Sequence, residues 1–214
     1  MRQKDVDIDR IFAVRNEEIN SLLCRYIREI ELFNPAYALV GTDDIEELVI
    51  KHILDSLAPL GIISRLLAEI HAENAQIADV GSGAGLPGIP LAIAMPDCGF
   101  TLIERMGRRT GFLWNTRAAL SLSNVTVEEG EVEKTAGGRF SIVTFRAFKP
   151  LKPKLLAALF NACGEGGVIA AYKGRREKIE QEMTPLENYA HWEAHPCGVP
   201  FLDEERHLLV IRPK

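Results

Sequence analysis

The stretch that points most directly to a ligand is Ile77-Ala78-Asp79-Val80-Gly81-Ser82-Gly83-Ala84-Gly85-Leu86-Pro87-Gly88, an apolar run followed by glycines at alternate positions. Glycine removes side-chain bulk and permits positive φ, so backbone can approach a ligand closely. N–H groups at the start of a following helix can then bond ligand oxygens. Two cofactor patterns overlap here. Residues 83–88 satisfy Gly-x-Gly-x-x-Gly, the dinucleotide fingerprint, with Glu104 near the expected ribose position. The same stretch reads Asp-x-Gly-x-Gly-x-Gly from Asp79, with the acid before the glycines. A tight turn that binds nothing is the third reading. Downstream, Thr101-Leu102-Ile103-Glu104 is apolar and then acidic. A carboxylate at such a strand end can accept both hydroxyls of a ribose.

Other residues could serve the same site. Arg146 ends a predicted strand and can grip a carboxylate or a phosphate with both prongs. His52 and Asp55 share a helical face, with Ser56 beside them. They either close the pocket from the N-terminal side or form a polar junction. Basic residues cluster at Arg105, Arg108, Arg109 and Arg117, at Lys149, Lys152 and Lys154, and at Lys173, Arg175, Arg176 and Lys178. The first and third groups follow strand ends. Solvated helix faces explain part of such runs, and Lys173, directly after a buried strand, is the hardest to assign that way. Phe145 and Phe148 flank the same mouth, either as core residues or as a stacking surface for a flipped base. The four cysteines, Cys24, Cys98, Cys163 and Cys197, are far apart in sequence and form no zinc or redox motif. No metal is expected.

These residues need elements to position them. Residues 1–73 read as helical. Apolar positions from Ile11 to Phe33 recur at helical spacing, and Asn34-Pro35 is expected to end that helix. Thr42, or Asp43 or Asp44 in its place, opens a second helix punctuated by Pro59 and Gly61. A third spans Ser64 to about Ala72. From residue 76 onward short strands alternate with helices: strands at 76–80, 100–103, 125–128, 140–145, 167–172, 192–197 and 207–211, and helices at 88–94, 108–120, 153–162 and 177–187. That alternation predicts an α/β fold with a mostly parallel sheet. The last two strands have no helix between them, which places an antiparallel strand near one edge. Ligands of open α/β sheets lie beyond the carboxyl ends of the strands. The organisation expected is a helical N-terminal extension, 1–73, packed on a ligand-binding core, 74–214.

The composition is that of an ordinary globular chain, 47% hydrophobic and 26% charged. No long uncharged apolar run suggests a membrane span. The first ten residues lack the apolar centre of a secretory signal, so a cytoplasmic protein with reduced thiols is expected. The formal net charge of −5 runs against nucleic-acid binding as a bulk property, but a local basic patch can sit on an acidic protein.

The stretch Asp79-Val80-Gly81-Ser82-Gly83-Ala84-Gly85-Leu86-Pro87-Gly88-Ile89-Pro90-Leu91-Ala92-Ile93 resembles the bacterial 16S rRNA guanine-N7 methyltransferases, also called the glucose-inhibited division protein B family. Lys51-His52-Ile53-Leu54-Asp55-Ser56-Leu57, Arg108-Arg109-Thr110-Gly111-Phe112-Leu113 and Thr144-Phe145-Arg146-Ala147-Phe148 continue it in order. It spans roughly residues 18–175. The resemblance implies a Rossmann-like class I methyltransferase that moves a methyl group from S-adenosylmethionine to N7 of guanine 527 in 16S rRNA, as naked rRNA or in the 30S particle. It carries cofactor positions onto Gly81, Leu86, Val132, Glu133 and Arg146, with Gly83 in the loop and Glu104 as the ribose acid. Candidates for RNA contact are Arg105, Arg108, Arg109, Arg146 and Lys173. N7 has a lone pair and no proton, so no general base is expected and no catalytic residue is assigned. A monomer is expected. The alternatives are a methyltransferase of another substrate and an NAD-dependent oxidoreductase.

Two departures stand out. The family often has Trp-Asn-x-x-x-Asn-Leu-Thr where this chain has Phe33-Asn34-Pro35-Ala36-Tyr37-Ala38-Leu39-Val40, so the local hydrogen bonds of the second Asn and the Thr are in question. An arginine is common where this chain has Glu131, which could compete with Glu133 near an adenine.

Overall fold

A computed structural model describes residues 8–72 and 74–214, with side chains described from residue 16. The strands are β1 (Gln76–Val80), β2 (Gly99–Glu104), β3 (Val125–Glu129), β4 (Phe140–Arg146), β5 (Cys163–Lys173), β6 (Ala190–Pro196) and β7 (His207–Pro213). They form one seven-stranded sheet in the order β3-β2-β1-β4-β5-β7-β6. β1 to β5 pair in parallel, and β7 runs antiparallel to both β5 and β6. The antiparallel strand thus sits one place in from the edge. Its start, at His207, lies level with Lys173 at the end of β5.

Side chains alternate across the sheet, as strand geometry requires. Ile77, Leu102, Val127 and Ile142 enter the core on one face, and Ala78, Ile103, Val143 and Ile169 enter the core on the other. The first face is covered by α1 (Ile8–Tyr37), α4 (Leu60–Glu69), α5 (Gly88–Ala94) and α6 (Gly107–Leu120). The second is covered by α7 (Pro153–Ala162) and α8 (Arg176–Met183). Between α1 and α4 lie α2 (Ile45–Leu48), a π-helical turn over Val49–Leu54 and α3 (Asp55–Leu57).

Three boundaries correct or complete the sequence reading. The first helix does not end at Asn34 but runs two residues past Pro35, to Tyr37. Asn34 makes this possible. Its side-chain amide donates to the Thr42 carbonyl (3.1 Å) and Asp43 Oδ1 (2.9 Å), and its oxygen accepts from Val40 N–H (2.9 Å). These bonds hold the following loop from within, so they are made without the second Asn and the Thr. Ala38, at the position of that second Asn, is left-handed with φ 49°, a conformation Asn tolerates better than Ala. Second, of Thr42, Asp43 and Asp44, which the sequence left open, the cap of α2 is Asp44, whose carboxylate accepts from Glu47 N–H, while the Thr42 hydroxyl donates to Glu47 Oε2. Third, β5 starts four residues early. Glycines 164, 166 and 167 lie in its first half, where the pairing with β4 shifts between Phe140 and Ile142. There Gly167 approaches the Phe140 carbonyl, leaving a Cβ only 2.6 Å from it.

The first helix also reaches the glycine loop. Tyr26 is fully buried and its hydroxyl donates to the Ala84 carbonyl (2.7 Å). Phe33 packs edge-on against Phe112 of α6 at 5.7 Å. Among the described residues no helix is long and apolar enough to cross a membrane, and no cluster of His, Cys, Asp and Glu is placed to hold a metal ion.

Candidate functional site: two clefts at the carboxyl edge of the sheet

The glycine loop folds around a buried carboxylate. Asp79, at 0% exposure, sends Oδ2 to accept from the Ser82 hydroxyl (2.6 Å) and from Gly88 N–H at the start of α5 (3.0 Å). Burial raises its pKa to about 6 against those two bonds. Asp79 therefore braces the loop from inside. A Cβ on Gly88 would stand 2.3 Å from Leu102 Cδ2 and 2.7 Å from Asp79 Oδ2, which is why the helix must begin on glycine.

Most of the remaining loop amides are also used internally. Gly81 and Ser82 donate to the Ile103 carbonyl, Gly85 and Leu86 to the Ser82 carbonyl, and Gly83 to Glu104 Oε2. A dinucleotide pyrophosphate needs free N–H groups at the helix start. Here it would meet the Asp79 carboxylate and amides already engaged. The dinucleotide reading of residues 83–88 loses its physical basis.

Glu104, 4% exposed, is locked by the same economy. Its two oxygens accept from Gly83 N–H and Met106 N–H, both at 2.9 Å. Each keeps acceptor capacity for a further donor. Glu104 lines a cleft of about 230 Å³ together with Gly81, Ile103, Val132, Glu133 and Phe148. The short 3₁₀ turn over Val132–Lys134, not read from the sequence, carries Val132 inward as a buried apolar wall. Glu131 lines this cleft too, as do Arg105 and Arg109.

A second, larger cleft of about 440 Å³ lies over the ends of β4, β5 and the start of β7, and shares Ala147 and Phe148 with the first. Phe148 is the partition. A Cβ on Gly81 would stand 2.5 Å from its ring, so the glycine allows the aromatic ring to lie over the loop. Phe145, by contrast, is a core residue, 1% exposed.

The far wall of the larger cleft is the segment around residues 51–59. Arg146 joins it to the sheet: one guanidinium nitrogen donates to Asp55 Oδ2 (2.9 Å) and the Lys51 carbonyl (3.2 Å), the other to His52 Nδ1 (3.1 Å). Arg206 completes the junction through Nε to Asp55 Oδ1 (3.0 Å). One carboxylate thus holds two guanidinium groups from two strand ends. Burial, then the Arg146 charge, lowers the His52 pKa to about 4, so its ring is neutral. Lys173 lines the cleft with its ammonium paired to Glu182 (2.6 Å).

The structure thus gathers Gly81, Glu104, Val132, Glu133, Arg105 and Arg109 at the smaller cleft, and His52, Asp55, Arg146 and Lys173 at the larger. It does not bring every candidate there. Leu86 is buried in the core and lines neither cleft. Gly83 acts through its bond to Glu104. Ser56 is fully buried, its hydroxyl on the His52 carbonyl and its own carbonyl accepting from Tyr172, so it is part of the wall rather than of the opening. Arg108 is exposed away from both. Arg117 donates to the Val125 carbonyl and lies over Trp114, a structural role. Arg206, His207 and Cys197 were missed. The available signal was topological: the start of an antiparallel strand lies at the same edge as the carboxyl ends of its parallel neighbours.

Residues 19–209 match the family described as rRNA small subunit methyltransferase G. The chain is 41% identical over 196 residues to the ribosomal RNA small subunit methyltransferase G of Treponema pallidum, covering 89% of this chain and 84% of that protein. It is 36% identical over 221 residues to the protein of the same name from Treponema denticola, covering 92% and 87%. Among solved structures, a putative S-adenosyl-L-methionine-dependent methyltransferase from Methanococcus maripaludis superposes with a TM-score of 0.59 at 12% identity, covering 88% of this chain and 92% of that one. That likeness concerns the fold, which is Rossmann-like.

Proposed function

This chain belongs to the rRNA small subunit methyltransferase G family, and on that premise we propose that it transfers a methyl group from S-adenosylmethionine to N7 of a guanine in 16S rRNA, the family's guanine 527. One observation carries the reading: a cleft lined by Glu104, Ile103 and Val132 adjoins, across Phe148, a second and larger cleft. The chain's residues fit the cofactor. Glu104 offers a buried carboxylate with unused acceptor capacity, Ile103 and Val132 offer apolar surface to an adenine, and the internally satisfied loop suits a ligand with no pyrophosphate. When bound, S-adenosylmethionine supplies an electrophilic sulfonium methyl.

The protein's part is positioning. Guanine N7 carries an in-plane lone pair and no proton, so no side chain has to remove one. Arg146, anchored to Asp55 and His52, fixes the far wall of the larger cleft, and Phe148 sets the aperture through which N7 approaches in line. Arg105 and Arg109 on the rim of the smaller cleft suit RNA phosphates, and Lys173 reaches the larger cleft.

The test is to map N7-methylguanosine in 16S rRNA from cells with and without the protein, alongside calorimetry with S-adenosylmethionine and NADH. Loss of one N7-methylated site and binding of the adenosyl sulfonium alone are expected. An unchanged methylation map, or tight binding of NADH, would refute the reading.

A further inference from the structure

His207 is not explained by the junction or the cofactor cleft. It is nine-tenths buried, lines the larger cleft and opens β7 beside Lys173. Its Nδ1 lies 2.7 Å from the Gly174 carbonyl oxygen, which can only accept. The proton of the neutral ring therefore sits on Nδ1, and Nε2 is a bare acceptor. Among the described residues Nε2 has no hydrogen-bond partner, and it is not one of their sealed orphan atoms, Asp79 Oδ1 and Thr116 Oγ1. It is open to the cleft.

Side-chain donors line the same cleft, and its carboxylate, Asp55, is held between Arg146 and Arg206. His52 accepts from Arg146 at Nδ1, so its Nε2 carries the proton. Lys173 has two N–H bonds to spare beyond Glu182. Apolar walls come from Phe145, Phe148, Pro59 and Cys197. A planar ligand with an acceptor facing His52 and Lys173 and a donor facing His207 matches this set. Guanine has O6 as the acceptor and its N2 amine as the donor. Adenine carries its amine in place of O6 and has none at C2.

Orientation selects the donor. If N7 faces the cofactor cleft over β1 and β4, the N2 amine on the opposite side of the ring points toward β7. β4 and β7 are two strand spacings apart, about 10 Å, enough for a purine ring and one hydrogen bond. Resting on the function proposed above, we propose that His207 is a specificity-determining residue whose Nε2 accepts a hydrogen bond from the N2 amine of the acceptor guanine.

The experiment compares 30S particles reconstituted with 16S rRNA carrying guanosine or inosine at the acceptor position. Inosine lacks only the N2 amine. For the wild-type protein kcat/KM should fall about tenfold on inosine, the value of one buried hydrogen bond. His207→Phe should bring the guanosine-to-inosine ratio to within about twofold of unity, whereas His207→Gln, with an oxygen near the Nε2 position, should keep most of it. The ratio is taken within one preparation, so a partly folded variant does not distort it. Equal rates on both particles for the wild type, or an undiminished ratio in His207→Phe, would overturn the inference while leaving guanine methylation standing. A wild-type protein inactive on guanosine particles would remove both.

Discussion

The two clefts share a wall but are built differently. The smaller one is a product of backbone. Its lining from Val80 to Lys149 follows four strand ends, those of β1 to β4, and its shape comes from loop amides bonded to Asp79 and Glu104. The larger one is a product of side chains from remote segments, near residues 51–59, 145–148, 172–174, 197 and 206–207, held by one carboxylate between two arginines. The first should be rigid and intolerant of added atoms. The second should depend on charge balance and respond to pH.

The largest effect is expected at the second. Asp55→Ala would leave Arg146 and Arg206, with side chains only 15% and 22% exposed, without their shared anion. A loss of about 3–4 kcal/mol is expected from urea denaturation at constant m value. Binding of 5′-methylthioadenosine, which lacks a carboxylate, should change little in the same variant. A parallel collapse of that binding would show that the two clefts are one unit.

Next is the first cleft. Gly88→Ala drives a Cβ into Leu102 and Asp79, and a destabilisation of about 3 kcal/mol is expected, here with loss of adenosyl binding in calorimetry. Near-normal affinity would mean the loop is less constrained than its packing suggests.

A pH series separates the clefts through two opposed shifts. His52 is lowered from 6.5 to about 4, so the unfolded chain takes up that proton first and stability falls as pH drops through this window. Asp79 is raised from 3.8 to about 6, so the folded chain binds that proton more tightly and stability rises as pH drops through 6. The Asp79 contribution is about 2–3 kcal/mol, and that of the half-buried His52 about 1 kcal/mol after solvent screening. Relative to wild type, His52→Gln should therefore gain stability between pH 7 and 4, and Asp79→Asn should lose it. Urea midpoints across that range give the sign directly.

The smallest effect lies outside both clefts. Ala38→Asn should stabilise by about 0.5–1 kcal/mol, because Asn relieves the left-handed strain at φ 49°. A thermal melt that shifts downward would contradict this.

The contrast also governs how much could be read in advance. Ile77 to Gly88 and Thr101 to Glu104 are local patterns. The apolar run, the glycines and the terminal acid state where the strand stops and where a ligand can approach, so Gly81 and Glu104 were legible. What Asp79 and Gly83 do there was not, since their partners are Gly88 and Glu104 across the loop. Arg146, His52 and Asp55 were legible as separate candidates, because each ends or faces a predicted element. Their direct contact was not, because it joins residues about ninety positions apart. Pro35 misled for a similar reason: the helix tolerates it because the Asn34 side chain holds the loop beyond.

By its periodicity and glycines alone, the sequence determined a mostly parallel sheet, the strand end at which the first cleft opens and the acid that lines it. Those features follow from interactions within a few residues. Only the tertiary structure decided that most of the loop amides are already engaged, that Asp55 binds two arginines, and that His207 presents a bare nitrogen to the second cleft. Each of these depends on which hydrogen-bond partner arrives from a distant part of the chain, and no local pattern encodes that.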